Sequence, residues 1–177
     1  MNKDEITAHV LLAKNGDTGS FCKLYELYYK DMYRYAYYML GSKEDAEDVI
    51  SETVLDAFTG IKNLRHPAKF KAWIFQILNT KCKRQIAAYI KDRDNTDADV
   101  PEENLKEEDH PYASNIDIQN AFSALNDNEK TIISLTVFGG YNSREIARFL
   151  KSKEGTIRSS KSRAFDKMSQ YLKEDFA

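Results

Sequence analysis

Three prolines, seven glycines and two cysteines in a chain of 177 residues exclude several classes of protein at once. So few chain breakers leave long uninterrupted stretches, which favours helices over a turn-rich all-β fold. Cys22 and Cys82 lie far apart, and His9, His66 and His110 are equally scattered, so no metal-type pair or cluster is formed. No apolar run approaches the roughly 20 residues that a membrane-spanning helix needs. The first ten residues carry Asp4 and Glu5 where a signal peptide has a long apolar core. A cytoplasmic protein with reduced thiols is therefore expected. Neither a nucleophile–base constellation nor a phosphate loop is visible, so catalysis of its own and a cofactor are not expected.

Charge is present in quantity but unevenly distributed. Glu44, Asp45, Glu47, Asp48, Glu52 and Asp56 face a single Lys43 in residues 43–56. The next 35 residues, 57–91, hold no acid and eight bases: Lys62, Arg65, Lys69, Lys71, Lys81, Lys83, Arg84 and Lys91. Ordinary surfaces intersperse the two signs. An acidic helix followed by a basic one suggests adjacent surfaces with different partners, a basic protein for the first and nucleic acid for the second. The net charge of −2 conceals a further division. Residues 1–91 carry +3, residues 92–115 carry −7 and residues 116–177 carry +2.

Apolar spacing predicts an all-α chain of two small domains. A short helix over about 4–14 stops at Asn15-Gly16. Phe21, Leu24, Tyr25, Tyr28, Met32, Tyr35, Ala36 and Met39 then form the stripe of a long helix ending at Gly41. Ser42 caps the acidic helix, which ends near Gly60. His66-Pro67 restarts a helix running to about Tyr89, with proline in its first turn. These four helices make an N-terminal domain over residues 1–91. Residues 92–115, with nine acids, Pro101 and Pro111, read as a flexible acidic linker that cannot bury enough surface to order itself. Residues 116–177 form the second domain. Its Asn126-Asp127 starts one helix and Asn142, with Glu145 three residues on, opens a short one. After the turn 151–153, a basic helix over about 154–172 completes a helix-turn-helix plan.

Three segments carry a resemblance. Asp45-Ala46-Glu47-Asp48-Val49-Ile50-Ser51-Glu52-Thr53-Val54-Leu55-Asp56-Ala57-Phe58 is similar to a helix with a "DAED" start and an "ETFLxAW" continuation. Phe70-Lys71-Ala72-Trp73-Ile74, with Ile77 and Asn79, resembles "FxAWLxxIAxN". Gly140 to Ala147, followed by Gly155-Thr156-Ile157-Arg158-Ser159, matches "GxSxxEIAxxLxxxxGTVKS". In this order and spacing they resemble the extracytoplasmic-function (ECF) group of bacterial RNA polymerase sigma factors, within the sigma-70 family. The resemblance implies an alternative sigma factor that binds core RNA polymerase, directs it to promoters and assists DNA opening. It also implies promoter DNA and a dedicated anti-sigma factor as partners. A stand-alone helix-turn-helix regulator, dimeric on a palindrome, is the rival reading.

The resemblance places polymerase docking on Asp45, Asp48, Ser51 and Glu52, where the family usually has Gln at the Ser51 position. The acidic residues 45, 48 and 52 share one helix face. Minus-ten DNA contacts fall on Asn63, Arg65, Lys69, Lys71, Asn79, Lys83 and Arg84, with loop 60–66 taking a flipped base. The family often has Asp where this chain has Lys83. Minus-thirty-five contacts fall on Lys151, Lys153, Thr156, Arg158, Ser159, Lys161, Ser162 and Arg163, at the turn and on the early part of the recognition helix. The turn departs from the family's Gly–apolar–Ser, reading Lys151-Ser152-Lys153. A side chain there at positive φ costs of order 1 kcal/mol. In the family the linker follows the RNA exit path, so a −7 segment either mimics nucleic acid or serves as a spacer.

Overall fold

A computed structural model describes residues 1–95 and 116–174. Helices α1 (Lys3–Lys14), α2 (Thr18–Leu40), α3 (Lys43–Gly60) and α4 (Phe70–Asn95) build the N-terminal half. Helices α5 (Ile116–Ser123), α6 (Asp127–Val137), α7 (Ser143–Phe149) and α8 (Glu154–Glu174) build the other. The all-α, two-domain expectation holds. Helix α4 runs past the expected end near Tyr89 to Asn95, so the first residues of the 92–115 linker are helical; the rest of that segment lies outside the described residues.

Caps set the helix boundaries. Asn2, Asn126 and Asn142 each accept from the N3 amide of the following helix while Glu5, Glu129 and Glu145 bond back, three complete capping boxes. Asp17 and Ser42 cap α2 and α3. Gly41 ends α2 at φ 76, a left-handed residue that glycine adopts without strain. His66 precedes a 3-10 turn, Pro67–Lys69, that leads into α4.

Leu24, Met32, Tyr35, Ala46, Phe70, Ile74, Phe75 and Leu78 are fully buried in the first half. Ala121, Ile132, Ile133, Leu135, Ile146 and Ala164 are fully buried in the second. Cys82 lies in the core and Cys22 is exposed, both as free thiols. The two halves are in contact through α2 and α6. Tyr38 of α2 meets the Phe122 ring at 4.7 Å and stacks on Phe138 at 5.1 Å. The Thr131 hydroxyl lies 3.9 Å from Met39 Sδ.

Helices α6 and α8 are tied by a nearly buried carboxylate. Lys167 Nζ donates to both Glu129 oxygens at 2.8 and 2.9 Å, and the capping bond to the Asn126 amide takes a further lone pair. The Lys167 bond is the main cause holding the Glu129 carboxyl below its ordinary 4.5. A carboxyl so lowered contributes its stability at neutral pH and loses it as pH falls through the folded value. Glu129→Gln is expected to cost about 1–3 kcal/mol at pH 7, the scale of hydrogen bonds to a charged group. The difference from wild type should shrink on acidification below pH ~4, read from urea unfolding across pH.

Candidate nucleic-acid and protein interfaces

Helices α3 and α4 run antiparallel, and their opposite charges meet. Glu52 accepts from Lys81 at 3.1 Å and Arg84 at 2.6 Å, and Asp56 pairs with Lys81 at 2.7 Å. At the other end Asp45 accepts from Gln85 and from the Tyr89 hydroxyl. Burial pulls the Lys81 ammonium down, but its bonds to Asp56 and Glu52 more than offset that and leave it raised. Burial and the Asp45 carboxylate together push the Tyr89 phenol up. Of the four residues expected at the polymerase edge, Asp48 and Ser51 are exposed, Glu52 is about half-exposed and Asp45 is half-buried. The expected DNA contact Arg84 is occupied by Glu52, while Lys83 beside it is exposed.

The loop between α3 and α4 is held against α1, where Lys14 Nζ donates to the Leu64 carbonyl at 2.7 Å. That anchor presents Asn63, Arg65 and Lys69 at the mouth of a cleft of about 580 Å³. Trp73 and Gln76 line its N-terminal side, and Tyr141, Arg148 and Phe149 of the second half line the other. An aromatic and basic cleft is suited to an unstacked base and its phosphate.

Two expected DNA contacts are placed elsewhere. Asn79 is buried and accepts from the Tyr35 hydroxyl at 2.8 Å, which makes it an internal hydrogen-bond partner in this arrangement. Lys71 is half-buried, its ammonium 5.8 Å from the Tyr28 ring, 5.9 Å from Phe75 and 5.5 Å from Tyr141. Three π faces hold the cation, and one belongs to the C-terminal half. The sequence gives Lys71 and Asn79 the right helix but not the neighbour that covers them.

In the helix-turn-helix, Lys151, Lys153, Thr156, Arg158, Ser159, Ser162 and Arg163 are exposed and Lys161 is half-buried. Lys151 stands at φ 52, so this turn does require the left-handed conformation. The Ser152 amide closes it by donating to the Ala147 carbonyl at 2.8 Å. Glu154 accepts from Arg158 at 2.9 Å and from Arg144 at 3.3 Å. The Arg144 bond, ahead of the Arg158 charge, lowers the Glu154 carboxyl. Arg144, Arg158 and Lys161 line a shallow depression beside the start of α8, a surface for phosphate. Arg144 and Arg148, on the first helix of the motif, add basic groups that sequence reasoning had not singled out.

A four-helix unit with a paired acidic and basic helix, followed by a helix-turn-helix, defines a two-region DNA-recognition subunit. Sigma-70 region 2 matches residues 24–93 and Sigma-70, region 4 matches residues 121–170. The chain is 28% identical to the ECF RNA polymerase sigma factor BldN of Streptomyces coelicolor over 173 residues, spanning 92% of this chain and 64% of that one. It is 28% identical to the sigma factor SigV of Bacillus subtilis over 149 residues, 84% of this chain and 89% of the other. The fold is shared with CnrH in complex with the cytosolic domain of CnrY, at TM-score 0.72 and 19% identity over 97% and 99% of the two chains. It is shared too with RpoE bound to the anti-sigma factor NepR from Bartonella quintana, at TM-score 0.72 and 22% identity over 86% and 96%. The chain belongs to the ECF sigma factors of the sigma-70 family. Its class of function is that of an alternative sigma factor, which directs RNA polymerase to promoters.

Tyr35→Phe deletes the donor to Asn79 and leaves a buried amide oxygen unsatisfied. A loss of about 1–3 kcal/mol in unfolding free energy is expected, with circular dichroism of the native state unchanged.

Proposed function

We propose that the chain docks on core RNA polymerase through the exposed edge of α3, centred on Asp48 and Ser51 with Glu52 beside them. The N-terminal half, residues 1–91, then meets the minus-ten element and holds bases released on opening. The C-terminal half, residues 116–177, reads the minus-thirty-five element. The observation that supports this division is the ordered match to regions 2 and 4, each with its own exposed charged surface. Lys83, Asn63, Arg65 and Lys69 are the exposed contacts for the first element. Arg158, Ser159, Ser162 and Arg163 are those for the second, with Lys151, Lys153 and Thr156 on the phosphates.

An anti-sigma factor completes the proposed partners, supported by the shared fold with RpoE held by NepR. The site of action is the cytoplasm, consistent with the absence among the described residues of a helix long and apolar enough to cross a membrane. The protein supplies specificity and leaves catalysis to the polymerase.

Asp48 is the cleaner docking test, since Glu52 also ties α3 to Lys81 and Arg84. Wild-type protein should co-elute with core polymerase on a sizing column, and Asp48→Arg should weaken the complex roughly tenfold or more, a loss of at least ~1.4 kcal/mol. Wild-type protein that elutes as a stable dimer and ignores polymerase would instead support a stand-alone regulator.

The lysines of the turn give a second test, on holoenzyme bound to promoter DNA. Each phosphate contact contributes about 0.9 to the slope of log affinity against log salt. Lys151→Gly with Lys153→Ser should therefore flatten the slope by about 1.8. The Gly relieves the left-handed strain, so free-protein stability should hold or rise by up to ~1 kcal/mol. An unchanged slope would remove both lysines from the DNA surface.

A further inference from the structure

Glu154 is the one acid in residues 151–163, a stretch that carries five bases. It opens α8, where the helix dipole favours a negative charge. On a surface assigned to DNA it is nonetheless a repulsive group, felt by any phosphate within the roughly 8 Å Debye length. Its two oxygens are divided between two helices. Oε1 accepts from Arg158 Nη2 at 2.9 Å, and Oε2 accepts from Arg144 Nε at 3.3 Å. Arg158 lies one turn along α8, the recognition helix, and Arg144 lies on α7, on the other side of the turn 151–153. All three side chains line the depression that Lys161 shares.

The bridge does little for stability. Arg144 and Arg158 keep 69% and 72% of their side-chain surface exposed, and ion pairs so open to solvent contribute little to folding. Its effect falls on the arginines themselves.

From this geometry we infer that Glu154 is a positioning residue for promoter specificity: it holds Arg158 for base recognition and withdraws both arginines from indiscriminate phosphate binding. The inference rests on the assignment of Arg158 to the minus-thirty-five element. The bond to Glu154 uses one N–H of a guanidinium fork that has five, and a bidentate contact to a base edge needs two. Arg144 anchors the carboxylate from the neighbouring helix and so fixes the direction in which Arg158 is held. An arginine already held loses less rotamer freedom on binding than one that samples solvent. Repulsion completes the discrimination. At a cognate site the base contact offsets the nearby carboxylate, and on any other DNA no base contact does.

Glu154→Gln keeps the shape of the side chain and removes its charge. Holoenzyme assembled from the full chain and core polymerase is presented with a promoter library randomised over both elements, and the bound DNA is sequenced. Arg158→Ala identifies the position that Arg158 reads, as the one whose base preference disappears. Glu154→Gln should lower the preference at that same position roughly fivefold or more, and leave the minus-ten preferences unchanged. In an Arg158→Ala background it should add nothing, since its effect passes through that arginine. A merely structural role would lower preferences throughout the minus-thirty-five element and would persist in that background, which would overturn the inference. The second readout is the anisotropy of a fluorescein-labelled duplex of random sequence bound by the same holoenzymes. Here Glu154→Gln should tighten binding and steepen the salt slope by about 0.9 to 1.8, as one or two arginines are released to phosphate. An unchanged slope would overturn the withdrawal from phosphate. If Arg158→Ala erases a preference that Glu154→Gln leaves intact, the positioning role fails and Arg158 stands as a base contact. If Arg158→Ala leaves every preference as in wild type, the assignment of Arg158 fails and the inference falls with it.

Discussion

Helix α2 is the element on which both halves depend. A surface helix buries one stripe and leaves the rest to solvent. Here Tyr35, Ala36, Tyr37, Tyr38 and Met39 are buried in succession, which requires neighbours on every side. Helices α1, α3 and α4 supply those of the N-terminal half, and α6 supplies the last. Tyrosine suits such a position, because its ring gives apolar area while its hydroxyl reaches a polar partner at the margin. The Tyr35 bond to Asn79 is the buried example. Removing α6 would leave Tyr38 and Met39 facing water, so the packing of one half is completed by the other.

The paired charges of α3 and α4 have a structural effect that is separate from any partner. Two helices of opposite sign lying antiparallel neutralise each other along their shared edge, at Glu52 with Lys81 and Arg84 and at Asp56 with Lys81. Solvent-exposed pairs of this kind contribute little stability individually. Their effect is to align the two helices and to leave the outward-facing Asp48 and Lys83 as the charges available to partners. The proposed function has polymerase and DNA met by adjacent edges of this single helical hairpin.

Most of the secondary structure was legible because local physics determines it. Capping residues, Gly41 and Pro67 mark boundaries by backbone chemistry that needs no tertiary neighbour. The left-handed turn at Lys151 was legible only through the family resemblance, since lysine itself marks no left-handed position. The extension of α4 to Asn95 was not, because nothing in residues 90–95 distinguishes a continuing helix from the start of an acidic linker.

The sequence by itself determined the helices, their order, the segregation of charge and the three motifs that identify the family. Each depends on residues close together in the chain. Tertiary structure alone decided which charges are spoken for and which face is covered. That Glu52 meets Arg84, that Asn79 is buried under Tyr35, and that Lys71 lies against Tyr141 are juxtapositions across dozens of residues. The stripe read in α2 announced one covered face, and the unbroken burial of residues 35–39 emerged only in the fold. Hydrophobic burial is non-directional, so a pattern states that a surface will be covered while only the folded geometry states by what.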